Sequence, residues 1–409
     1  MSHLPLRAQV ASALGRTAAT LSRMTGQGDG SVIGGRVGLV LEPELLSILA
    51  RNRKLVLVSA TNGKTTTTRL IASALAELGD VATNAFGANM PAGHVSALSQ
   101  NKHAPNGVLE VDEKYLPEVL DKTRAEFVCL MNLSRDQMDR SAEIWLLAKK
   151  WRTAVQGSST HVIANCDDPL VTWGASSADR VTWVAAGQRW KEDSWCCPEC
   201  GGPLDRKDAD WACRECPLRR PQPQWVLDGD AVIDPYGQRW PLRIQLPGLA
   251  NRANAAMALA VAALYGVSPD RALPRLAEVK SVAGRYTMVE RNGRQARLLL
   301  AKNPAGWLEA FDVTDPSLPV ILSVNAQVPD GRDTSWLWDV DYRILAGRPV
   351  FVTGERRLDL ALRLYVAGVP FQLMDGFEQA LAVVPPGRVD VIANYTAFQQ
   401  IRAEFGRAV

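Results

Sequence analysis

Long apolar runs are missing from this chain of 409 residues. Because no stretch of about 18 consecutive apolar residues occurs, the sequence predicts no transmembrane helix. A charge excess is also missing, since 46 basic and 43 acidic residues leave a formal net charge of +3. That balance does not favour a nucleic-acid-binding surface. With 47% hydrophobic and 22% charged residues, the composition is typical of a soluble globular protein with two or three domains.

Seven cysteines are present, and five of them lie in one short segment. An odd number clustered in this way indicates a metal site in a reducing cytoplasm rather than a disulfide framework. Cys197 and Cys200 form one C-x-x-C pair, and Cys213 and Cys216 form another after twelve residues. Two such pairs complete a tetrahedral zinc site without an open position, which is typical of a structural site. Cys196 is the residue left over.

A zinc ribbon at residues 195–223 raises the alternative of a nucleic-acid-binding ATPase. The insertion carries a group of basic residues, although a basic face is usually only solvated. These residues are Arg206, Lys207, Arg214, Arg219 and Arg220.

The first 25 residues contain arginine, alanine and leucine but no acidic residue. A transit peptide or a helix lying on a membrane surface has this composition. Because the apolar stretches are short and broken, we favour a helix that packs on the following domain. The arginines are Arg7, Arg16 and Arg23.

Strand and helix patterns alternate along most of the chain. Residues 54–59 form a Val/Leu-rich run typical of a strand buried on both faces, and residues 64–78 predict a helix. We therefore expect a mainly parallel sheet, with further strands at 127–133, 161–165 and 181–184. The pattern restarts after residues 283–285 and predicts a second α/β domain, with strands at 296–301, 319–324, 349–352 and 389–394. A helix is predicted from about residue 251 to residue 265.

The turn between the first strand and helix reads Thr61-Asn62-Gly63-Lys64-Thr65-Thr66. Converging backbone N–H groups, a helix N-terminus and a lysine together bind phosphate oxygens. Lys64 would neutralise the β- and γ-phosphates of a nucleotide, and Thr65 would ligate Mg²⁺. The general P-loop spacing requires glycine at position 58, where this chain has Val58. The segment is therefore not the generic motif.

The turn resembles the shorter TNGKT form of Mur ligases and folylpolyglutamate synthases, and further segments resemble Mur-ligase motifs in the same order. Glu110 matches a Mg²⁺-binding glutamate. Residues 132–140 (NLSRDQMDR) match a segment in which many members carry a metal-binding histidine where this chain has Gln137, itself a tolerable oxygen ligand. Residues 165–169 (NCDDP) match the NxDDP segment. Asn251 and Asn254 match the asparagines of a G-x-x-N-x-x-N element near the adenine.

This resemblance implies ATP-dependent ligation through an acyl phosphate, which an amine then displaces. Lys64, with Mg²⁺ held through Thr65 and Glu110, would neutralise the transferring phosphoryl group. Several Mur ligases also use a carbamylated lysine. Lys149 and Lys150 lie in a suitable region, and the sequence does not distinguish between them.

Three C-terminal segments differ from ordinary Mur ligases: residues 302–306 (KNPAG), 325–342 (NAQVPDGRDTSWLWDVDY) and 394–397 (NYTA). They resemble the MurT family, the synthetase subunits of lipid II isoglutaminyl synthases, whose four-cysteine zinc ribbon also matches. The resemblance extends over almost the whole chain. It implies amidation of the α-carboxylate of D-glutamate in the lipid II stem peptide to D-isoglutamine, a step of peptidoglycan biosynthesis, with ATP, Mg²⁺ and Zn²⁺ as cofactors.

The MurT family works with a glutaminase, GatD, that releases ammonia from glutamine. This chain has four histidines and no cysteine–histidine constellation, so we expect it to need a GatD-like partner in a heterodimer. The family places an aspartate that completes the partner's Cys–His pair in or near residues 330–341. We favour Asp339, while Asp330, Asp333 and Asp341 stay open as candidates.

The resemblance thus predicts an α/β fold with a Mur-ligase-type P-loop ATPase domain, an inserted zinc ribbon and a C-terminal Rossmann-like domain. We place an N-terminal segment at residues 1–34, the ATPase domain at 35–286 with the ribbon at 195–223, and the C-terminal domain at 287–409. We expect a cytoplasmic protein, peripheral at the inner face of the membrane and without a nucleic-acid partner. A folylpolyglutamate-synthase-like amino-acid ligase is an alternative, against which the DGRD–WLWD segment argues.

Overall fold

The computed structural model describes residues 5–25, 30–84, 88–136, 143–280 and 286–405. These residues form two compact units. The first contains the described residues up to Leu133, Ile144–Leu246 and Ala250–Lys280. The second contains those between Ser134 and Glu143, Pro247–Leu249 and those after Ser281. The predicted α/β class is confirmed. The domain boundaries after residues 34 and 286 stay predictions, and residues 281–285 beside the second boundary lie outside the described residues.

The first unit is built on a large sheet. Its strands and those of the insertion are β1 (Lys54–Ser59), β2 (Val81–Thr83), β3 (Asn106–Glu110), β4 (Phe127–Leu130), β5 (His161–Asn165), β6 (Arg180–Ala185), β7 (Leu204–Lys207), β8 (Asp210–Cys213), β9 (Trp225–Asp228), β10 (Ala231–Ile233) and β11 (Arg239–Pro241). Within the described residues the sheet has nine strands, in the order β11-β10-β9-β6-β5-β4-β1-β3-β2. The strands from β2 to β9 in this order pair in parallel, whereas β9, β10 and β11 pair antiparallel.

Helices cover the sheet of the first unit. They are α1 (Leu6–Met24), α2 (Ser31–Leu41), α3 (Leu45–Ala50), α4 (Lys64–Leu75), α5 (Pro91–Gln100), α6 (Leu116–Thr123), α7 (Ile144–Val155), α8 (Pro169–Ala175), α9 (Leu249–Tyr265) and α10 (Pro269–Ala277). The strand β1 lies between β3 and β4, and its residues from Leu55 to Ser59 are all buried. Because helices cover both faces of such a strand, its Val/Leu-rich sequence has no polar alternation. The predicted bounds of β1 are confirmed.

The helices α1 and α2 pack against each other through small residues. A Cβ atom built on Gly15 would lie 2.5 Å from the backbone oxygen of Gly34, and one on Gly34 would lie 2.6 Å from that of Gly15. Only glycine allows the two backbones to approach this closely. Among the described residues, no helix is both long enough and apolar enough to cross a membrane.

The insertion contains the hairpin β7–β8 and a small core of its own. Cys197, Leu204 and Trp211 are its buried apolar residues. So small a core supplies too little hydrophobic stabilisation by itself, which is why segments of this kind are usually held by a metal or by disulfides.

The second unit has its own sheet, in the order β12-β13-β17-β14-β15-β16. β12 and β13 pair antiparallel, and the other neighbours pair in parallel. The elements are β12 (Tyr286–Arg291), β13 (Arg294–Leu300), α11 (Pro304–Val313), β14 (Val320–Ser323), β15 (Val350–Thr353), α12 (Arg357–Val366), β16 (Gln372–Leu373), α13 (Phe377–Val383), β17 (Gly387–Ala393) and α14 (Tyr395–Phe405). Trp307 and Tyr342 are fully buried in its core and pack edge to face, with ring centroids 5.6 Å apart.

Candidate nucleotide and metal sites

The loop between β1 and α4 is fixed from the end of β4 by Asn132. The backbone N–H of Asn62 donates to Asn132 Oδ1 at 2.9 Å, and Asn132 Nδ2 donates to the backbone oxygen of Asn62 at 3.0 Å. The N–H of Thr61 donates to the backbone oxygen of Asn132 at 2.9 Å. The loop leads into α4, a helix of 12 residues. The first N–H groups of such a helix have no intrahelical partner, so they favour an anion at this end.

Gly63, the last residue before α4, is required by its conformation and by its neighbour. Its φ is +84°, in the left-handed region that disfavours side chains. A Cβ atom there would also lie 2.4 Å from Oδ1 of Asn254, which belongs to α9. Asn254 donates in turn to Oδ1 of Asn251 at 3.3 Å. The structure therefore brings one predicted nucleotide-site asparagine against the loop and the other beside it.

Lys64 is buried and folds back on its own loop. Its Nζ donates to the backbone oxygens of Ala60 and Thr61, the latter at 3.2 Å, and lies 3.0 Å from Oε2 of Glu113. The side chains of Lys64 and Glu113 are 5% and 11% exposed. Burying an ammonium group is costly unless it is paired, so Glu113 supplies the negative charge that offsets the burial of this lysine.

Glu110 ends β3 and is 2% exposed. Asn84 fixes its backbone by accepting from its N–H at 2.7 Å and donating to its oxygen at 2.8 Å. His94, whose pKa burial lowers to about 4, also contacts that oxygen through Nε2 at 2.8 Å. The carboxylate Oε1 lies 3.4 Å from Asn89 Nδ2, and Oε2 has no hydrogen-bond partner among the described residues. A buried carboxylate oxygen left in this state fits a cation ligand.

The structure describes most, but not all, of the other predicted site residues. Thr65 is half-buried at the start of α4, and Thr66 is buried. Gln137, at the position of the expected metal-binding histidine, lies outside the described residues. Lys149 and Lys150 are both exposed on α7, and Lys149 Nζ lies 5.0 Å from the ring centroid of Trp145.

Asp168 connects the NCDDP segment to the phosphate loop. Its Oδ2 accepts from the N–H of Leu133 at 3.0 Å, next to Asn132, and its Oδ1 accepts from Leu170 and Val171 at the start of α8. Complete burial raises its pKa to about 6, although the three N–H groups act in the opposite direction. Asp168 therefore positions the residue that fixes the loop.

Four of the five cysteines of the insertion converge on one point. Their sulfur atoms all lie within 4.8 Å of one another, and Cys197–Cys216 and Cys200–Cys213 are each 3.5 Å apart. A tetrahedral zinc ion with Zn–S bonds of about 2.3 Å requires sulfur separations of roughly 3.8 Å. The cluster therefore has the dimensions of a metal site, and Cys196 is not part of it.

The insertion is fixed to the NCDDP segment by two contacts. Trp211 Nε1 donates to the backbone oxygen of Cys166 at 2.9 Å. Arg220 Nε donates to Oδ1 of Asp167 at 2.6 Å, and this pair is largely buried. The cysteine cluster is thus joined to the segment that contains Asp168.

Comparison with known proteins identifies the family. Residues 58–194 match the Mur ligase middle domain, and residues 300–398 match the MurT ligase C-terminal domain. A Streptococcus pneumoniae protein named lipid II isoglutaminyl synthase (glutamine-hydrolyzing) subunit MurT is 30% identical over 93% of this chain and 93% of its own length. The chain belongs to the MurT family. A MurT of Staphylococcus aureus is 27% identical over 98% of this chain and 99% of its own length.

Solved structures show that this MurT family member has the Mur-ligase fold. A pseudomurein peptide ligase type C from Methanothermus fervidus superposes with a TM-score of 0.68 at 16% identity, covering 86% of this chain and 78% of that one. MurF from Acinetobacter baumannii gives a TM-score of 0.63 at 15% identity, with 90% and 79% covered. A Mycobacterium tuberculosis folylpolyglutamate synthase gives 0.58 at 15% identity, with 89% and 94% covered.

The four candidate aspartates of the MurT C-terminal segment have different surroundings. Asp330 is buried and accepts from the N–H and hydroxyl of Thr396. Asp333 accepts from Ser335, and Asp341 accepts from Arg343. Asp339 ends the 3₁₀ turn Ser335–Asp339, is 35% exposed and pairs with Arg135 at 3.3 Å.

Three residues of the site were not predicted from the sequence: Glu113, Asn132 and Asp168. Glu113 is the last residue of the segment 110–113 (EVDE), of which the resemblance singles out only Glu110. Asn132 and Asp168 belong to the segments NLSRDQMDR and NCDDP, whose asparagine and aspartates are the signals that would have identified them.

Proposed function

We propose that this chain is the ATP-consuming subunit that amidates the α-carboxylate of D-glutamate in the lipid II stem peptide, forming D-isoglutamine. The observation that carries the proposal is the match over nearly the full length to subunits named lipid II isoglutaminyl synthase. The proposed reaction makes the protein a carbon–nitrogen ligase of peptidoglycan biosynthesis. The loop from Thr61 to Thr66 supports ATP as the energy source.

In the proposed reaction an oxygen of the substrate carboxylate attacks the γ-phosphorus of ATP, and ADP leaves. Ammonia then attacks the acyl carbon, phosphate leaves, and a proton is lost. Lys64 would exchange Glu113 for phosphate oxygens, and the start of α4 would bind further oxygens through its N–H groups. When bound, Mg²⁺ neutralises charge on the transferring phosphoryl group. Thr65 and the unpaired Oε2 of Glu110 are the groups we assign to hold it.

We assign a structural zinc ion to Cys197, Cys200, Cys213 and Cys216. The convergence of four sulfur atoms around a core of three apolar residues supports this assignment, because thiolate ligands without an open position suit a structural ion. We also propose a GatD-like glutaminase as the partner subunit. We further propose that the protein works at the inner face of the membrane, where it would reach its lipid-linked substrate.

We propose that Asp339 serves the active site of the glutaminase. The carboxylate of Asp339 is partly exposed, whereas that of Asp330 is buried and accepts a hydrogen bond from Thr396. A carboxylate presented by this subunit would orient the partner's histidine and stabilise its charged form. In Asp339→Asn we expect glutamine-dependent amidation to fall by at least about 100-fold, while amidation with ammonium is retained. Asp375→Asn, on an exposed carboxylate outside the candidate segment that pairs with Arg357 at the same 3.3 Å, is the matched control. Equal losses with both nitrogen sources would remove Asp339 from this role.

The experiment that tests the main proposal is mass spectrometry of lipid II incubated with the protein, MgATP and ammonium chloride. A parallel reaction contains glutamine and the glutaminase. We expect exchange of hydroxyl for amino, dependent on ATP and lost in Lys64→Ala. Unchanged lipid II under both nitrogen supplies, with ATP consumed when an amino acid is offered as acceptor, would instead establish an amino-acid ligase.

A further inference from the structure

The two N-terminal helices have an inverted arrangement of large and small apolar residues. On α1 the residues turned toward the protein are small and include Ala8, Ala11, Gly15 and Ala19, all of them buried. A surface helix of a soluble protein normally directs its large apolar side chains to the core. Here they point away from it.

The large apolar residues of α1 that are exposed share one side of the helix, with Thr17 between Leu14 and Leu21. They are Leu6, Val10, Leu14, Leu21 and Met24, with exposures of 77%, 49%, 47%, 57% and 78%. At 3.6 residues per turn these positions lie within an arc of about 80° along a helix about 28 Å long. The neighbouring helix α2 also carries exposed apolar residues: Ile33, Val40 and Leu41, with exposures of 45%, 81% and 37%. We call these eight residues the N-terminal apolar surface.

The charged residues of α1 and α2 themselves are all basic, whereas Glu42 and Glu44 follow the end of α2. Neither α1 nor α2 contains an acidic residue. Arg7 is 69% exposed, although it pairs with Glu42 at 3.4 Å, and Arg23 and Arg36 are also exposed. Arg16, by contrast, is turned inward and donates to Ser12 and to the backbone of Ser99. The exposed part of the two helices thus combines large apolar residues and arginines with the uncharged Gln9, Thr17 and Thr20.

We infer that the N-terminal apolar surface lies in the interface of an anionic lipid bilayer. Apolar side chains would enter the boundary between headgroups and acyl chains, and the arginines would pair with lipid phosphates. A second copy of the chain fits less well, because α1 and α2 offer no acidic residue to pair with the arginines of the other copy. The inference deepens the membrane position proposed above, but its observations come from α1 and α2 alone. On this inference the protein binds the bilayer directly and not only through its lipid-linked substrate.

The close packing between α1 and α2 makes the surface a rigid one. The contact of Gly15 with Gly34 holds the helices together, and Gly35 lies against the backbone of Ala92 at the start of α5. Because the hairpin is fixed to the first unit, membrane binding would orient the ATPase fold rather than only tether it.

The test is co-sedimentation of the purified full chain with vesicles that contain phosphatidylglycerol and no lipid II. Vesicles of phosphatidylcholine alone and high salt provide the electrostatic controls. In the triple variant Val10→Glu/Leu14→Glu/Leu21→Glu we expect binding to fall about tenfold or more. The matched control places glutamates at Leu78, Met288 and Val383, which are 41%, 42% and 52% exposed. We expect this control to bind like the wild type.

Three outcomes would overturn the inference. The wild type fails to bind anionic vesicles, the triple variant binds as well as the control, or the wild type is a dimer that the triple variant dissociates. Amidation of lipid II in detergent separates this inference from the proposed function. We expect the triple variant to keep that activity, because none of its positions belongs to the nucleotide site. If the protein bound vesicles but did not amidate lipid II, the membrane inference would hold and the proposed amidation would be wrong.

Discussion

The pairing of Lys64 with Glu113 makes a sharp prediction for Glu113→Gln. The change keeps a hydrogen-bond acceptor of the same size but leaves a buried ammonium without its counter-charge. Removing one partner of a buried pair typically costs 3–5 kcal/mol. Since Lys64 keeps the oxygens of Ala60 and Thr61, we expect the low end, about 3 kcal/mol, or a fall of roughly 4–5 °C in unfolding temperature.

ATP should reverse part of this loss, because its phosphates give Lys64 a new anionic partner. We therefore expect saturating MgATP to raise the unfolding temperature more in Glu113→Gln than in the wild type. The assay is thermal unfolding with and without MgATP. The matched control is Glu118→Gln, which breaks an exposed pair with Lys122 of the same 3.0 Å length and should cost less than about 0.5 kcal/mol. Equal effects of the two substitutions, or an ATP response unchanged by Glu113→Gln, would refute the reasoning.

Three further predictions concern the loop, the NCDDP segment and the insertion. Gly63→Ala should weaken ATP binding about tenfold or more in a calorimetric titration, because both the positive φ and Asn254 oppose a side chain. The raised pKa of Asp168, about 6, means that the folded state binds this proton more tightly than the unfolded chain. This group therefore lowers the free energy of unfolding as pH rises from about 4 to about 6, and Asp168→Asn should remove that contribution in denaturant titrations. Chelation of the metal should expose the buried Trp211, which we expect to see as a red shift of its fluorescence. Elemental analysis should find one zinc per chain in the wild type and in Cys196→Ser.

Much of the fold could be predicted because the buried strands are short apolar runs. The bounds of β1 and β5 agree with the prediction, and α4 ends at Leu75 with a 3₁₀ turn continuing to Leu78. β3 and the antiparallel strands β9 to β11 were not predicted. The latter are three or four residues long and only three of their ten residues are buried, so they lack the apolar run that marks the parallel strands.

The candidate site could be predicted where one local motif carries it. The turn from Thr61 to Thr66 has its sequence signature within six residues. The pairing of Lys64 with Glu113 joins residues 49 positions apart, and the bonds between Asn62 and Asn132 join residues 70 positions apart. Sequence spacing does not show which of several carboxylates or amides reaches the loop, because that depends on how strands β1, β3 and β4 align.

The contacts of Trp211 and Arg220 with Cys166 and Asp167 give the cysteine cluster a consequence for nucleotide affinity. A chain of bonds continues from Asp168 through Leu133 and Asn132 to the phosphate loop. We therefore expect an ion that orders the insertion to favour the same arrangement of the phosphate loop. Thermodynamic linkage is reciprocal, so ATP must tighten retention of that ion by the same factor by which the ion tightens ATP. The cysteine cluster, which takes no part in the reaction, would in this way act as an effector site for ATP binding.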